Sequence, residues 1–216
     1  GNAVDNGISI TTGSGATSIT ASGASDVVTV NATALAQNTA LTLVGSAAES
    51  VSGLIGNITA SALTGTLAVT TGDATDNSIS ITTGSAATSI TANGASDVVT
   101  VNATALADNA TLTLAGSAAR TVTGLRGDLA ASGVSGALNA TTVAVASGLS
   151  IATGSGSNTI TASALTAGQT LTLTGSSAAT VTLNAGTLAA GSYAGNLTVT
   201  GGTGANTITV GNGTNT

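Results

Sequence analysis

The sequence predicts an all-β chain wound as a parallel β-solenoid. Three observations predict it: a long internal repeat, short segments of strict alternation, and an apolar composition without large aromatic side chains. Hydrophobic residues make up 42% of the 216 and charged residues 5%. That is enough apolar surface to bury, and too little charge for a disordered polymer.

The repeat organises everything else. The segment from Asp5 to Leu54 recurs from Asp76 to Leu125, an offset of 71 residues that maps Asp26 onto Asp97 and Val30 onto Val101. A third, shortened copy opens at Ile151, lacks the stretch GASDVVTVNA and resumes from Ala164 to Leu183. Loss of those ten residues with the flanking pattern kept marks ten residues as close to one structural unit. The reading is a single elongated repeat domain, 1–216, with copies at 5–75, 76–146 and 147–216.

Within copy one the segments ISIT, SITA, VVTVNA, LTLVG, SVSG, NITA and LAVTTG follow one another in order. Each alternates: Ile8 with Ile10, Val28 with Val30, and Leu41 with Leu43 fall on one face, with Thr, Ser or Ala between them. These are half-buried strands. Helix is disfavoured because β-branched residues dominate and glycine recurs; only Thr33–Asn38 reads as a helical turn. There is no proline, so thirty glycines with Asn and Asp carry the turns through their tolerance of positive φ.

Short strands at this spacing fit a sandwich, a barrel or a solenoid, and core volume decides between them. A two-sheet sandwich leaves a gap of about 10 Å that Leu, Phe and Trp normally fill. Here there is no Phe or Trp and one tyrosine, Tyr193, so the interior must be thin. Coils of such a solenoid stack at about 4.8 Å. Identical residues are expected to lie over one another, with Val, Ile and Leu ladders inside and Thr, Ser and Asn ladders outside, on roughly twenty strands.

Charge and chemistry exclude several functions. The net charge is −6 and the only cations are Arg120 and Arg126, which leaves no basic surface for nucleic acid or anionic lipid. Without Cys or His there are no disulfides, thiolate zinc sites or imidazole bases, and eight scattered acids offer no nucleophile and base pair. An enzyme is not expected. No apolar run approaches the roughly 20 residues of a spanning helix, so a soluble chain with no membrane insertion is expected, and no signal peptide is read at its start.

The most specific motif is Gly201-Gly202-Thr203-Gly204-Ala205-Asn206-Thr207-Ile208-Thr209, followed by Val210-Gly211-Asn212-Gly213-Thr214-Asn215-Thr216. At a period of nine it resembles the nonapeptide G-G-x-G-x-D-x-U-x of RTX proteins. More widely, the Thr, Ala, Gly and Asn-rich strands resemble the degenerate repeats of large secreted bacterial adhesins and surface-layer proteins. The resemblance implies a right-handed parallel β-roll, with calcium bound between coils by turn Asp and backbone carbonyls. The positions that could serve are Asp26, Asp73, Asp76, Asp97 and Asn206, the last standing where the family has Asp. A turn Asp bonding its own backbone explains the same residues.

Other features stay subordinate. Triplets such as Thr159/Thr161, Thr180/Thr182 and Thr198/Thr200 would form outward threonine ladders like those of ice-binding solenoids, although Thr is also a good exposed strand residue. Seven Asn-x-Thr/Ser sequons permit glycosylation, although chance supplies most of them in a chain this rich in Asn and Thr. Arg120 and Arg126 are candidates to pair with Asp128 or a neighbouring subunit, and Tyr193 to cover a coil end. The expected role is structural: an extracellular, bacterial cell-surface filament, surface layer or adhesin stalk that self-associates or continues as a longer repeat chain. The alternatives are a calcium module, then an ice- or glycan-binding solenoid.

Overall fold

The computed structural model describes residues 7–75 and 78–216 and contains, among them, strands and turns but no helix. Copy one supplies β1 (Gly7–Thr11), β2 (Thr17–Ala21), β3 (Val27–Asn31), β4 (Ala40–Gly45), β5 (Ala48–Leu54), β6 (Asn57–Leu63) and β7 (Leu67–Thr71). Copy two supplies β8 (Ser78–Thr82), β9 (Thr88–Thr91), β10 (Val98–Asn102), β11 (Thr111–Gly116), β12 (Ala119–Leu125), β13 (Asp128–Val134) and β14 (Leu138–Thr142). Copy three supplies β15 (Gly148–Ala152), β16 (Asn158–Ala162), β17 (Thr170–Thr174), β18 (Ala179–Leu183), β19 (Gly186–Ala190), β20 (Leu197–Thr200) and β21 (Asn206–Val210).

The odd strands form one 11-stranded sheet and the even strands a 10-stranded sheet, each in sequence order. All pairings are parallel, and consecutive strands cross the core instead of pairing, which is a β-solenoid with two strands to the coil. Coils differ in length: Thr111 pairs with Asp128, but Thr17 pairs with Leu41.

The alternation read from the sequence sets which side chains enter the core. One odd-sheet ladder runs Ile10, Val30, Val51, Val69, Ile90, and one even-sheet ladder runs Ile81, Val101, Val122, Ala140, Ile160. Burying each such aliphatic contributes about 1.5–3 kcal/mol, and the two facing rows fill the thin interior without rings. Between strands the chain turns on short hydrogen bonds: Asp26 N donates to Gly23 O at 2.9 Å and Asp97 N to Gly94 O at 3.0 Å. Residues Thr33–Asn38 form turns, not a helix. Leu35 N reaches Ala32 O at 3.1 Å, Thr39 N reaches Ala36 O at 3.2 Å, and Leu35 is driven fully into the core. Anchoring Leu35 outweighs the weak helical preference of so short a segment.

One expectation is corrected. Equivalent residues of successive copies do not stack, because a copy holds seven strands and a coil uses two. The repeat therefore advances three and a half coils, and β3 of copy one lies in the odd sheet while its counterpart β10 lies in the even sheet. Each residue stacks instead on one about a coil earlier. The shortening of copy three now has a structural meaning: it removes the counterpart of β10 and one turn, half a coil. As a result β17 rejoins the sheet of its counterpart β11.

Glycine is required at two matched places. Gly45 (φ 121°) and Gly116 (φ 105°) end β4 and β11, where a Cβ would lie 2.0 Å from Ala21 O and 2.1 Å from Ala92 O. Gly53 and Gly124, both at φ 67°, sit where β5 and β12 shift register against the next coil, the usual place of a bulge glycine.

Candidate functional site

Two of the acids singled out from the sequence are brought together. The Asp97 carboxylate folds back over Gly94, with Oδ2 2.2 Å from the position a Cβ would take there. Asp73 Oδ1 from the preceding coil lies 3.2 Å from that same point. Asp97 is 1% exposed, and its Oδ2 accepts Ala74 N at 3.4 Å. Asp26 repeats the arrangement in copy one: it is 3% exposed, with Oδ2 2.2 Å from the Cβ position of Gly23. Asp26 and Asp97 sit in the turns leading into β3 and β10, which lie in opposite sheets, and do not meet. Asp76 lies outside the described residues. Among the described residues no three acids converge on one point.

Asn206 is held differently. Its Nδ2 donates to Gly204 O at 2.8 Å and to Gly202 O and Asn184 O at 3.4 Å. Asn158 does the same toward Gly156 O at 2.8 Å and Gly154 O at 3.3 Å, and Asn215 toward Gly213 O at 2.8 Å and Gly211 O at 3.0 Å. In each G-x-G-x-N turn the amide nitrogen meets the glycine carbonyls. Where the RTX pattern offers a carboxylate to calcium, these turns offer a donor to their own backbone.

The larger surprise is inside. Arg120 is fully buried in β12, between Val99 and Leu138 in the even sheet. Its Nη1 donates to Ala118 O at 2.8 Å, and its Nη2 to Ala115 O at 2.6 Å and Ala92 O at 3.1 Å. Burial lowers its pKa to about 10, and the negative charge of Asp97 pulls the other way, so the guanidinium stays charged at neutral pH. The expected pairing with Asp128 is not made, because Asp128 Oδ1 instead accepts Ser150 N at 2.7 Å. Arg126 forms an exposed ion pair with Asp108 at 3.0 Å.

Glu49 holds the position of Arg120 in copy one. It is 2% exposed, lies between Val28 and Leu67 in β5, and neither carboxylate oxygen meets a hydrogen-bond donor. Burial raises its pKa to about 7. The sequence aligns Glu49 with Arg120 across the 71-residue offset. The signal that places both inside was present, since Glu49 precedes Val51 by two and Arg120 precedes Val122 by two, which puts them on the buried face.

Tyr193 does not cover a coil end. It is 1% exposed under the turn between β19 and β20, its hydroxyl donates to Ser177 O at 2.6 Å, and it lies 3.2 Å from Thr153 Oγ1. It takes the interior place held by Leu63 and Val134 in the other copies, with its ring edge 3.0 Å from where a Cβ on Gly175 would stand and Thr153 Oγ1 closer still.

Outside, the threonine ladders are in register. Thr159, Thr180 and Thr198 stack in one column of the even sheet, and Thr161, Thr182 and Thr200 in the next. Two shallow surface depressions are lined by small residues such as Thr66, Ala68 and Ser89, or Ser157, Thr159 and Thr180, with no titratable group. No helix of the described residues is long and apolar enough to cross a membrane. No family model, curated protein or solved structure matches the chain.

Proposed function

We propose that this solenoid is a non-catalytic structural element of an extracellular, bacterial surface assembly: a filament, surface layer or adhesin stalk built by stacking coils. The observation that carries the reading is the pair of uninterrupted parallel sheets, in which every coil is the seat for the next. At β21 that seat is exposed. Ile208 and Val210 continue the inward ladders from Leu188 and Ala190, yet are 45% and 37% accessible. A further coil stacked on β21 would cover them and satisfy the open strand edge. Self-association of identical chains is the partner proposed.

Surface chemistry supports an extracellular setting. With Arg120 buried and no Lys, Arg126 is the one accessible cleavage point for a trypsin-like protease. Electron microscopy of the purified protein tests the assembly reading. Fibres of constant width support a filament or layer, whereas isolated rods roughly 50 Å long, the length of about ten coils at 4.8 Å, would rule those out and favour a stalk segment.

The registered threonine columns favour one second reading, binding to an ordered surface such as ice. A thermal-hysteresis measurement without activity removes it.

A further inference from the structure

Copies one and two build the same cage and put opposite charges in it. Ala48 N donates to Asp26 O and Ala119 N to Asp97 O, both at 3.1 Å; Glu49 N donates to Thr66 O and Arg120 N to Ala137 O, both at 2.8 Å. Gly45 and Gly116 press against Ala21 O and Ala92 O at nearly one distance. The backbones around the two side chains are therefore alike.

In copy two the cage is the carbonyl oxygens of Ala92, Ala115 and Ala118 with Asp97 beside them, and the Arg120 guanidinium fills it. The counterparts in copy one are the carbonyl oxygens of Ala21, Val44 and Ala47 with Asp26. Into that acceptor-lined space the chain sends Glu49, another acceptor, whose oxygens have no donor. A glutamate oxygen lies two bonds nearer the backbone than the terminal nitrogens of arginine. At the same backbone position it therefore ends short of where the Arg120 nitrogens reach the carbonyls. Two carboxylates and several carbonyl oxygens are the ligand set a hard divalent cation takes, and its charge would offset both acids as Arg120 offsets Asp97.

We propose that copy one binds one calcium ion at Glu49, held by the Glu49 and Asp26 carboxylates and the carbonyl oxygens of Val44 and Ala47, Ala21 O being already occupied by Ser46 N and Ala47 N. The ion does for this coil what the Arg120 side chain does for copy two. The site is distinct from the glycine-rich turns, where Asn206 already answers the carbonyls, and it does not depend on the assembly reading.

The test is calorimetric titration of calcium chloride into chelator-treated protein at pH 8, with thermal melts in parallel. The wild type is expected to bind one equivalent and melt higher with calcium. Glu49→Gln is expected to weaken binding at least tenfold. Glu49→Arg is expected to abolish binding and to reproduce the calcium-bound melting temperature without calcium, because the guanidinium takes over the carbonyls. Asp73→Asn is expected to leave binding intact. The proposal is overturned by a wild type that binds no calcium, by binding that survives Glu49→Gln, by a Glu49→Arg protein that does not fold, or by loss of the site in Asp73→Asn.

Discussion

The inward position shared by β5 and β12 compares two regions with one backbone and opposite charge. In copy two, Arg120 donates to the carbonyls of Ala92, Ala115 and Ala118 and stays charged; in copy one, the Glu49 carboxylate accepts no hydrogen bond and its pKa rises to about 7. A solenoid core tolerates a buried charge when the turn carbonyls of the same coil can answer it, because those oxygens converge there whatever the side chain is. Copy three removes the question, since Ala179 stands at this position and Asn158 in the neighbouring coil donates to Ala178 O at 3.3 Å.

The comparison is broken most directly by removing the satisfied charge. Arg120→Met leaves the carbonyls of Ala92, Ala115 and Ala118 without its donors and Asp97 without the nearby positive charge, and is expected to cost about 3–5 kcal/mol, measured by urea unfolding. Arg120→Met should therefore destabilise far more than Glu49→Met; an equal loss would show that the cage is not filled as described.

The next effect is pH dependence from Glu49, measured in chelator. Its folded pKa of about 7 lies above the ordinary value of 4.5, so the folded state holds the proton more tightly than the unfolded chain. Stability is then fully present below about 4.5, falls as pH rises and levels off above about 7, a loss of roughly 3 kcal/mol. The facing strands β4, β6 and β7 carry no titratable group, and Asp26 in the turn before β3 is the one acid alongside. Glu49→Gln should flatten the profile between these limits. A slope unchanged in that variant would assign the dependence to other acids.

Gly45→Ala and Gly116→Ala test whether the two cages share a backbone. Each introduces a Cβ about 2 Å from a carbonyl oxygen at a positive φ. Each is expected to cost about 1–3 kcal/mol, and the two losses should agree. A clear difference in their urea midpoints would separate the cages. The smallest effect is at the exposed Arg126–Asp108 pair, where Arg126→Ala should change stability by less than about 1 kcal/mol. That result is the control showing that burial, not arginine as such, makes Arg120 matter.

Much of the fold was legible. Alternation in ISIT, VVTVN and LTLVG, the thirty glycines and the missing rings led to short parallel strands around a narrow core. Part of the candidate site was legible too, since Asp73 and Asp97 were both named and both come to one turn. Tyr193 was misplaced because a lone aromatic among small residues looks like a cover, whereas the core under Gly175 has room for one ring. Asn206 was read by its place in a motif, and the hydrogen bonds of its amide came from the turn geometry.

By itself the sequence determined strand length, the face each side chain takes, and the positions that turn, because these depend on neighbours one to four residues away. Only the tertiary structure decided which sheet each strand joins and what each residue stacks upon. Those depend on how many strands close a coil, and with two strands to the coil and seven to the repeat, copy two is turned to the opposite sheets from copy one. The same closure gathers the carbonyls of Ala92, Ala115 and Ala118 around Arg120, a convergence that no local pattern records.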